Sequence, residues 1–223
     1  LRGICNGKLQ RTRNAAEDLS ATTRLKPGWD EAWCALGIAQ MTAGDTNSGI
    51  ASITKALQLN ATMQPAWEAR ARGHRELGHT TEELVDLNEL LELDSSHVDA
   101  LLRRGILLSE TDPAAATGDL SKVISLHRDN ATAWMYRGLC YSRLGDTDRA
   151  LADLNLACRL RPDDSRPWLE RGRCLQAQRR SNDAISDLSK AAEIAPNDFA
   201  VRLELGQAYL DSGNVEAARS NLM

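Results

Sequence analysis

Four histidines, five cysteines and 31 carboxylates are the side chains of this 223-residue chain that could bind a metal, attack a carbonyl or shuttle a proton. Their spacing supports none of these. His74, His79, His97 and His127 stand on separate segments, and none has a Cys, Asp or Glu at a metal-ligand interval that recurs along its own helix face. Cys5, Cys34, Cys140, Cys158 and Cys174 include no Cys-x-x-Cys and no close Cys/His pair, so they read as small core residues with inert thiols. There is no glycine-rich phosphate loop. The expectation is a chain with no catalytic residues, no cofactor and no metal.

A different pairing does recur. Arg2, Arg70, Arg104, Arg137 and Arg171 are followed by Asp18, Asp86, Asp119, Asp153 and Asp187 at nearly constant spacing. Where Leu36 and Leu205 replace the arginine, Ser52 and Asn221 replace the aspartate, so the two charges come and go together. A guanidinium fork holds a carboxylate through two parallel N–H bonds. The pattern predicts five partly buried ion pairs, each between two helices of one structural unit.

That unit is visible as a period of 34 residues. The stretch from Ala131 to Asp164 carries Trp134, Gly138, Ala150, Leu154 and Pro162, which recur as Trp168, Gly172, Ala184, Leu188 and Pro196. One residue missing near Thr111 to Pro113 shifts the register, after which Gly105, Ala71, Gly37 and Gly3 take the glycine position. Self-similarity at such a period indicates a stacked array. Trp134, Gly138 and Tyr141 share one helical face; Ala150, Leu154 and Ala157 share another, whose small residues allow close approach to Gly138. Gly145-Asp146-Thr147 is the turn between them, with Thr147 an N-cap candidate, and Pro162 ends the second helix. His74 takes the place of Tyr141. Pro65 fits a first turn, Thr80 and Glu83 can form a capping box, Asp112 precedes Pro113 as an N-cap, and Arg179-Arg180 replaces the turn glycine, which predicts a different turn there.

This succession of Trp, Leu or Arg, Gly, Tyr, Ala, Leu, Ala and Pro resembles the tetratricopeptide repeat along the whole chain. The resemblance implies an all-α fold, a right-handed superhelical solenoid of antiparallel helix pairs. Its copies run 30–63, 64–97, 98–130, 131–164 and 165–198, within a single array over 1–223 flanked by partial copies at 1–29 and 199–223. Leu1 corresponds to the sixth repeat position, and the last helix would leave Val215, Ala218 and Leu222 uncovered, so both ends read as cuts in a longer protein.

The resemblance also implies a concave groove lined by the first helices. Carried onto this chain, the partner-binding groove comprises Ile38, Met41, Arg72, Arg75, Leu102, Arg103, Ile106, Met135, Tyr136, Leu139 and Arg173. Two family specialisations do not fit. No three consecutive copies supply the lysines and asparagines of the chaperone-tail clamp. The sixth position, where the nucleocytoplasmic O-linked sugar transferase has an asparagine ladder, holds Ala35, Ala69, Arg103, Tyr136, Glu170 and Glu204. The arginines favour a partner with an acidic group beside apolar anchors. The competing arrangement pairs Glu68 with Arg72, one helical turn on, packs Ile106 and Leu139 between repeats, and leaves no peptide site.

Net charge is −4, which gives no electrostatic reason to expect nucleic acid. No apolar run approaches the ~20 residues of a membrane span. The reading is a non-enzymatic scaffold or adaptor that takes a peptide or helix of another protein. Its alternatives are the substrate-recruiting arm of an enzyme whose catalytic domain lies elsewhere, or a structural element of a large assembly. Unpaired cysteines point to the cytoplasm, against which Asn60-Ala61-Thr62 and Asn130-Ala131-Thr132, two glycosylation triplets, keep the ER lumen or secretory route as an alternative.

Overall fold

A computed structural model of the chain describes residues 2–222, with side chains for 11–221. Leu1 lies outside the described residues, and Gly3, the side chains of Arg2, Cys5 and Leu222, and hence the expected Arg2–Asp18 pair, lie outside those whose side-chain surroundings are described. The described residues form thirteen helices and no strand, in two compact units, the chain being divided between Arg103 and Arg104. The first holds α1 (Arg2–Leu25), α2 (Asp30–Thr42), α3 (Thr46–Leu59), α4 (Gln64–Glu76), α5 (Thr80–Leu93) and the start of α6 (Val98–Thr111). The second holds the rest of α6, then α7 (Pro113–Leu126), α8 (Ala131–Arg143), α9 (Thr147–Leu160), α10 (Ser165–Ala177), α11 (Ser181–Ile194), α12 (Phe199–Asp211) and α13 (Val215–Leu222). Each unit is a row of antiparallel helix pairs.

Acidic and amide side chains set most helix starts by accepting from amides that the first turn leaves open. Asp45 accepts from Ser48 N, Asp112 from Ala115 N, Asn130 from Ala133 N and Asp198 from Ala200 N. Asp146, not Thr147, caps α9, accepting from Arg149 N at 3.2 Å. The expected capping box at Thr80 does not form: α5 starts one residue earlier, from His79, and the Glu83 carboxylate is drawn inward by an arginine described below. Pro65 and Pro113 occupy first turns as expected.

Apart from the shorter α6–α7 turn, where Asp112 has a negative φ, the turns within pairs from α2 onward carry a left-handed residue, supplied by Gly44 and Gly78 in the first unit and by Gly145 and Gly213 in the second. Arg179 stands at the same place with φ of 59°. The different turn expected there is not found: Arg179 N bonds Gln176 O and Arg180 N bonds Leu175 O, as Gly145 N bonds Ser142 O and Asp146 N bonds Tyr141 O. The backbone bonds of the turn hold the arginine where a glycine would rest without strain.

Packing within a pair depends on bare backbone. A β-carbon at Gly138 would sit 2.9 Å from Leu154 Cγ and 3.1 Å from the Ala150 carbonyl oxygen. Leu154, Ala150 and Ala157 are fully buried there. Ala218, expected to be uncovered on the last helix, is buried as well, whereas Val215 is 64% exposed. The tryptophans tie the turns between pairs. The indole N–H of Trp33, Trp67, Trp134 and Trp168 donates to the carbonyl six residues before it, at 2.8 to 3.2 Å.

Four of the expected ion pairs are present. Arg70 binds Asp86, Arg104 binds Asp119, Arg137 binds Asp153 and Arg171 binds Asp187, each through Nε and Nη2. Three of these arginines also reach back to the preceding helix pair through Nη1, to Thr54, Ser121 and Asn155. The same three guanidinium groups lie 4.8 to 4.9 Å from the rings of Trp67, Trp134 and Trp168. One arginine thus joins its own pair, the pair before it and a tryptophan. Where Leu36 replaces the arginine, Ser52 donates instead to Gln40 Oε1 at 2.7 Å.

Candidate functional site

The described residues contain no cluster of three or more His, Cys, Asp or Glu arranged to hold a metal. Burial raises the thiols of Cys34 and Cys174 above their ordinary value and pushes those of Cys140 and Cys158 up to about 11. What the fold presents is a surface on its first helices, and it differs between the units.

In the first unit α2 and α4 pack side by side. Ile38 is half-buried against the core of Ile53, Ala56 and Leu57, and Leu102 is half-buried on α6. Met41 is not part of the surface. It is 6% exposed, because its thioether fills space left by two glycines: a β-carbon at Gly73 would lie 3.1 Å from Met41 Cε, and one at Gly49 would collide with Met41 Cγ. Arg72 and Arg75, on one face of α4, are both exposed. The Glu68–Arg72 pairing is not observed; Glu68 Oε2 lies 3.8 Å from His97 Nε2 instead.

Arg103 behaves otherwise. Its Nε and Nη2 donate to the two oxygens of Glu83 at 2.6 and 2.9 Å. Glu83 is 2% exposed and stands where the other second helices have glycine or alanine. A carboxylate so placed needs a cation, and Arg103 supplies it. The sequence shows Glu83 only as a departure from the pattern, and the separation of 20 positions between the partners hides the link.

In the second unit Ile106, Tyr136 and Leu139 are half-buried. Met135, the second expected methionine, is 4% exposed and packs on Leu154 and on Cys174 of the next first helix. Arg173 is held between two carboxylates, donating to Glu204 at 2.9 Å and to Glu170 at 3.0 Å. Burial raises the Glu170 carboxyl above its ordinary range against the pull of Arg173 and Arg143. Arg143 donates to the Ser109 carbonyl at 2.9 Å. The arginines of this face are satisfied within the unit, unlike Arg72 and Arg75.

Stacked helix pairs, bare-backbone contacts within them and a period of 34 residues define a helical repeat protein. Family models described as tetratricopeptide repeat match residues 30–63, 106–165 and 175–222. The chain belongs to the tetratricopeptide repeat family. No curated protein matches the sequence. Among solved structures it is similar to YrrB, described as a TPR protein with an unusual peptide-binding site, at 18% identity and a TM-score of 0.74 over 84% of this chain and 97% of that one. It is similar to PilW, a type IV pilus biogenesis factor, at 19% identity and a TM-score of 0.73 over 86% and 90%. A tetratricopeptide repeat protein from Parabacteroides merdae gives 23% identity and a TM-score of 0.70 over 98% and 86%. At these identities the likeness is one of fold. No described helix is long and apolar enough to cross a membrane.

Proposed function

We propose that the chain is a non-catalytic scaffold segment whose first-helix face takes a peptide or helix of a partner protein, with an acidic group of that partner bound at Arg72 and Arg75. The observation that carries this is the state of those two side chains. They are exposed on one face of α4, a helical turn apart, and the nearby carboxylate that could have neutralised Arg72 turns to His97. Guanidinium groups so placed offer two planar forks to a carboxylate, and Ile38 and Leu102 supply apolar contact in the same unit. The fold shared with YrrB, whose description names a peptide-binding site, is consistent with this use of the surface.

The test is selection from a random peptide library on the full chain. The expected result is enrichment of Asp or Glu flanked by apolar residues, lost in Arg72→Glu with Arg75→Glu while thermal melting is unchanged. Selection of peptides without acidic residues, or retention of the same peptides by the double variant, would sink the assignment. As an arm of an enzyme or assembly the segment would use the same surface, so this experiment applies to those settings too.

A further inference from the structure

Four residues after each described arginine of the Arg–Asp ladder stands a companion on the same helix: His74 after Arg70, Leu108 after Arg104, Tyr141 after Arg137 and Leu175 after Arg171. At Arg137 the guanidinium meets two rings, Trp134 at 4.9 Å and Tyr141 at 5.6 Å. At Arg171 the first ring is present, Trp168 at 4.9 Å, and the second is replaced by the smaller Leu175. Beside Arg171 the smaller side chain adjoins open space. A cavity of about 270 Å³ lies between α9 and α11 over α10, with the Arg171–Asp187 pair, Leu151 and Leu175 in its wall. Its rim carries Arg180 and Asp183, an ion pair of 2.6 Å that inverts the signs of Asp146 and Arg149 beside Tyr141.

We propose that this cavity is a second partner-binding site, on the opposite face of α10 from Glu170 and Arg173, and that it takes the side chain of a tyrosine from a partner protein. Successive helical residues advance by about 100°, which puts Arg171 and Leu175 roughly half a turn of the helix away from the groove positions. The volume falls below the range of about 300–1,000 Å³ typical of small-molecule pockets and suits one side chain. The chemistry is that of the preceding pair with the ring supplied from outside: the guanidinium attracts the negative face of an aromatic ring, and Leu151 and Leu175 pack its edge. Asp183, standing where Arg149 stands beside Tyr141, offers an acceptor to the phenol hydroxyl. Arg171 is already fixed by Asp187 and Asn155, so binding does not have to order it.

The probe is N-acetyl-tyrosinamide, titrated into the full chain while the Arg171 Nε–H and the Leu151 and Leu175 methyl resonances are followed by NMR. Saturable shifts at all three are expected, with affinity about threefold to tenfold above that for N-acetyl-leucinamide, the margin a cation–π contact contributes. Leu175→Tyr, which rebuilds the Tyr141 arrangement, should abolish them. Ser186→Trp, which covers the mouth from an exposed position, should do so as well and keeps the test readable if Leu175→Tyr does not fold. No shift at Arg171, an equal response to the leucine probe, or shifts that persist when the mouth is covered would each overturn the proposal.

Discussion

Arg137 holds Asp153 with both arms of its fork, Nε at 2.7 Å and Nη2 at 3.0 Å, and its third arm reaches Ser121 at 3.0 Å. Both partners are largely buried, so deleting one leaves the other uncompensated. Arg137→Leu is expected to lower stability by about 3 kcal/mol. Adding Asp153→Ser should recover part of that, since the orphaned carboxylate goes too. Adding Tyr141→Gln as well copies the Leu36, Ser52 and Gln40 arrangement, in which Ser52 has its own acceptor, and should recover more. Urea unfolding of the three variants measures the series; equal losses in all three would show that the carboxylate is not the penalised group.

Arg179 supplies a left-handed residue where the other turns of this kind use glycine. An L side chain there costs roughly 1 kcal/mol, and its own side chain is exposed. Arg179→Gly is expected to stabilise the second unit by up to about 1 kcal/mol, less the added freedom of glycine in the unfolded chain. A lower melting temperature would mean that the arginine makes a compensating contact.

His74 gives the first unit a pH dependence. Burial lowers its pKa below the ordinary 6.5, Nδ1 is buried without a partner, and Asp86, Arg70, Glu82 and His79 surround it. Because the folded pKa is depressed, the unfolded chain takes up the proton first. Stability from this group is complete above about pH 6.5 and falls as the pH drops below it. His74→Tyr should therefore lose less stability than the native chain between pH 7 and 5, measured as the shift of the urea midpoint. A variant that loses as much or more would contradict the assignment.

Cys34, Cys140, Cys158 and Cys174 are buried free thiols. With Cys140 and Cys158 pushed up to about 11, the thiolate at pH 8 is on the order of one part in a thousand. Alkylation mapped by mass spectrometry should be slow at all four in the native chain and fast in urea. Rapid native labelling of Cys140 would place it outside the core.

How much of this was legible in the sequence follows from where each signal sits. Helix pairing and the Arg–Asp ladder were readable because the same residues recur and change together, as Leu36 does with Ser52. Helix starts were readable to within a residue, since Asp146 and Thr147 are both plausible caps and only backbone geometry separates them. The surface was harder. Met41 and Met135 occupy positions whose direction depends on neighbours: Met41 turns inward because Gly49 and Gly73 leave room, and Met135 because Cys174 receives it. Glu83 with Arg103, and the cavity beside Leu175, depend on contacts between helices that no single period displays.

The clearest separation between holding the fold and holding a partner lies among three arginines of the first unit. Arg103 and Arg72 stand at the sixth and ninth positions of successive copies, both expected in the groove, yet Arg103 neutralises the buried Glu83 and Arg72 is exposed. Reversing Arg103 sets two carboxylates against each other in the interior. Arg103→Glu is expected to cost about 3 kcal/mol or more, and Arg103→Glu with Glu83→Ala should recover most of it, alanine being the residue found at that place in α7, α9 and α11. Arg72→Glu with Arg75→Glu should change stability by no more than about 0.5 kcal/mol while reducing acidic-peptide binding. Urea unfolding and peptide titration on the same variants distinguish the roles. A large stability loss in the Arg72 and Arg75 variant would assign those residues to the fold as well, and retention of peptide binding by it would remove them from the site.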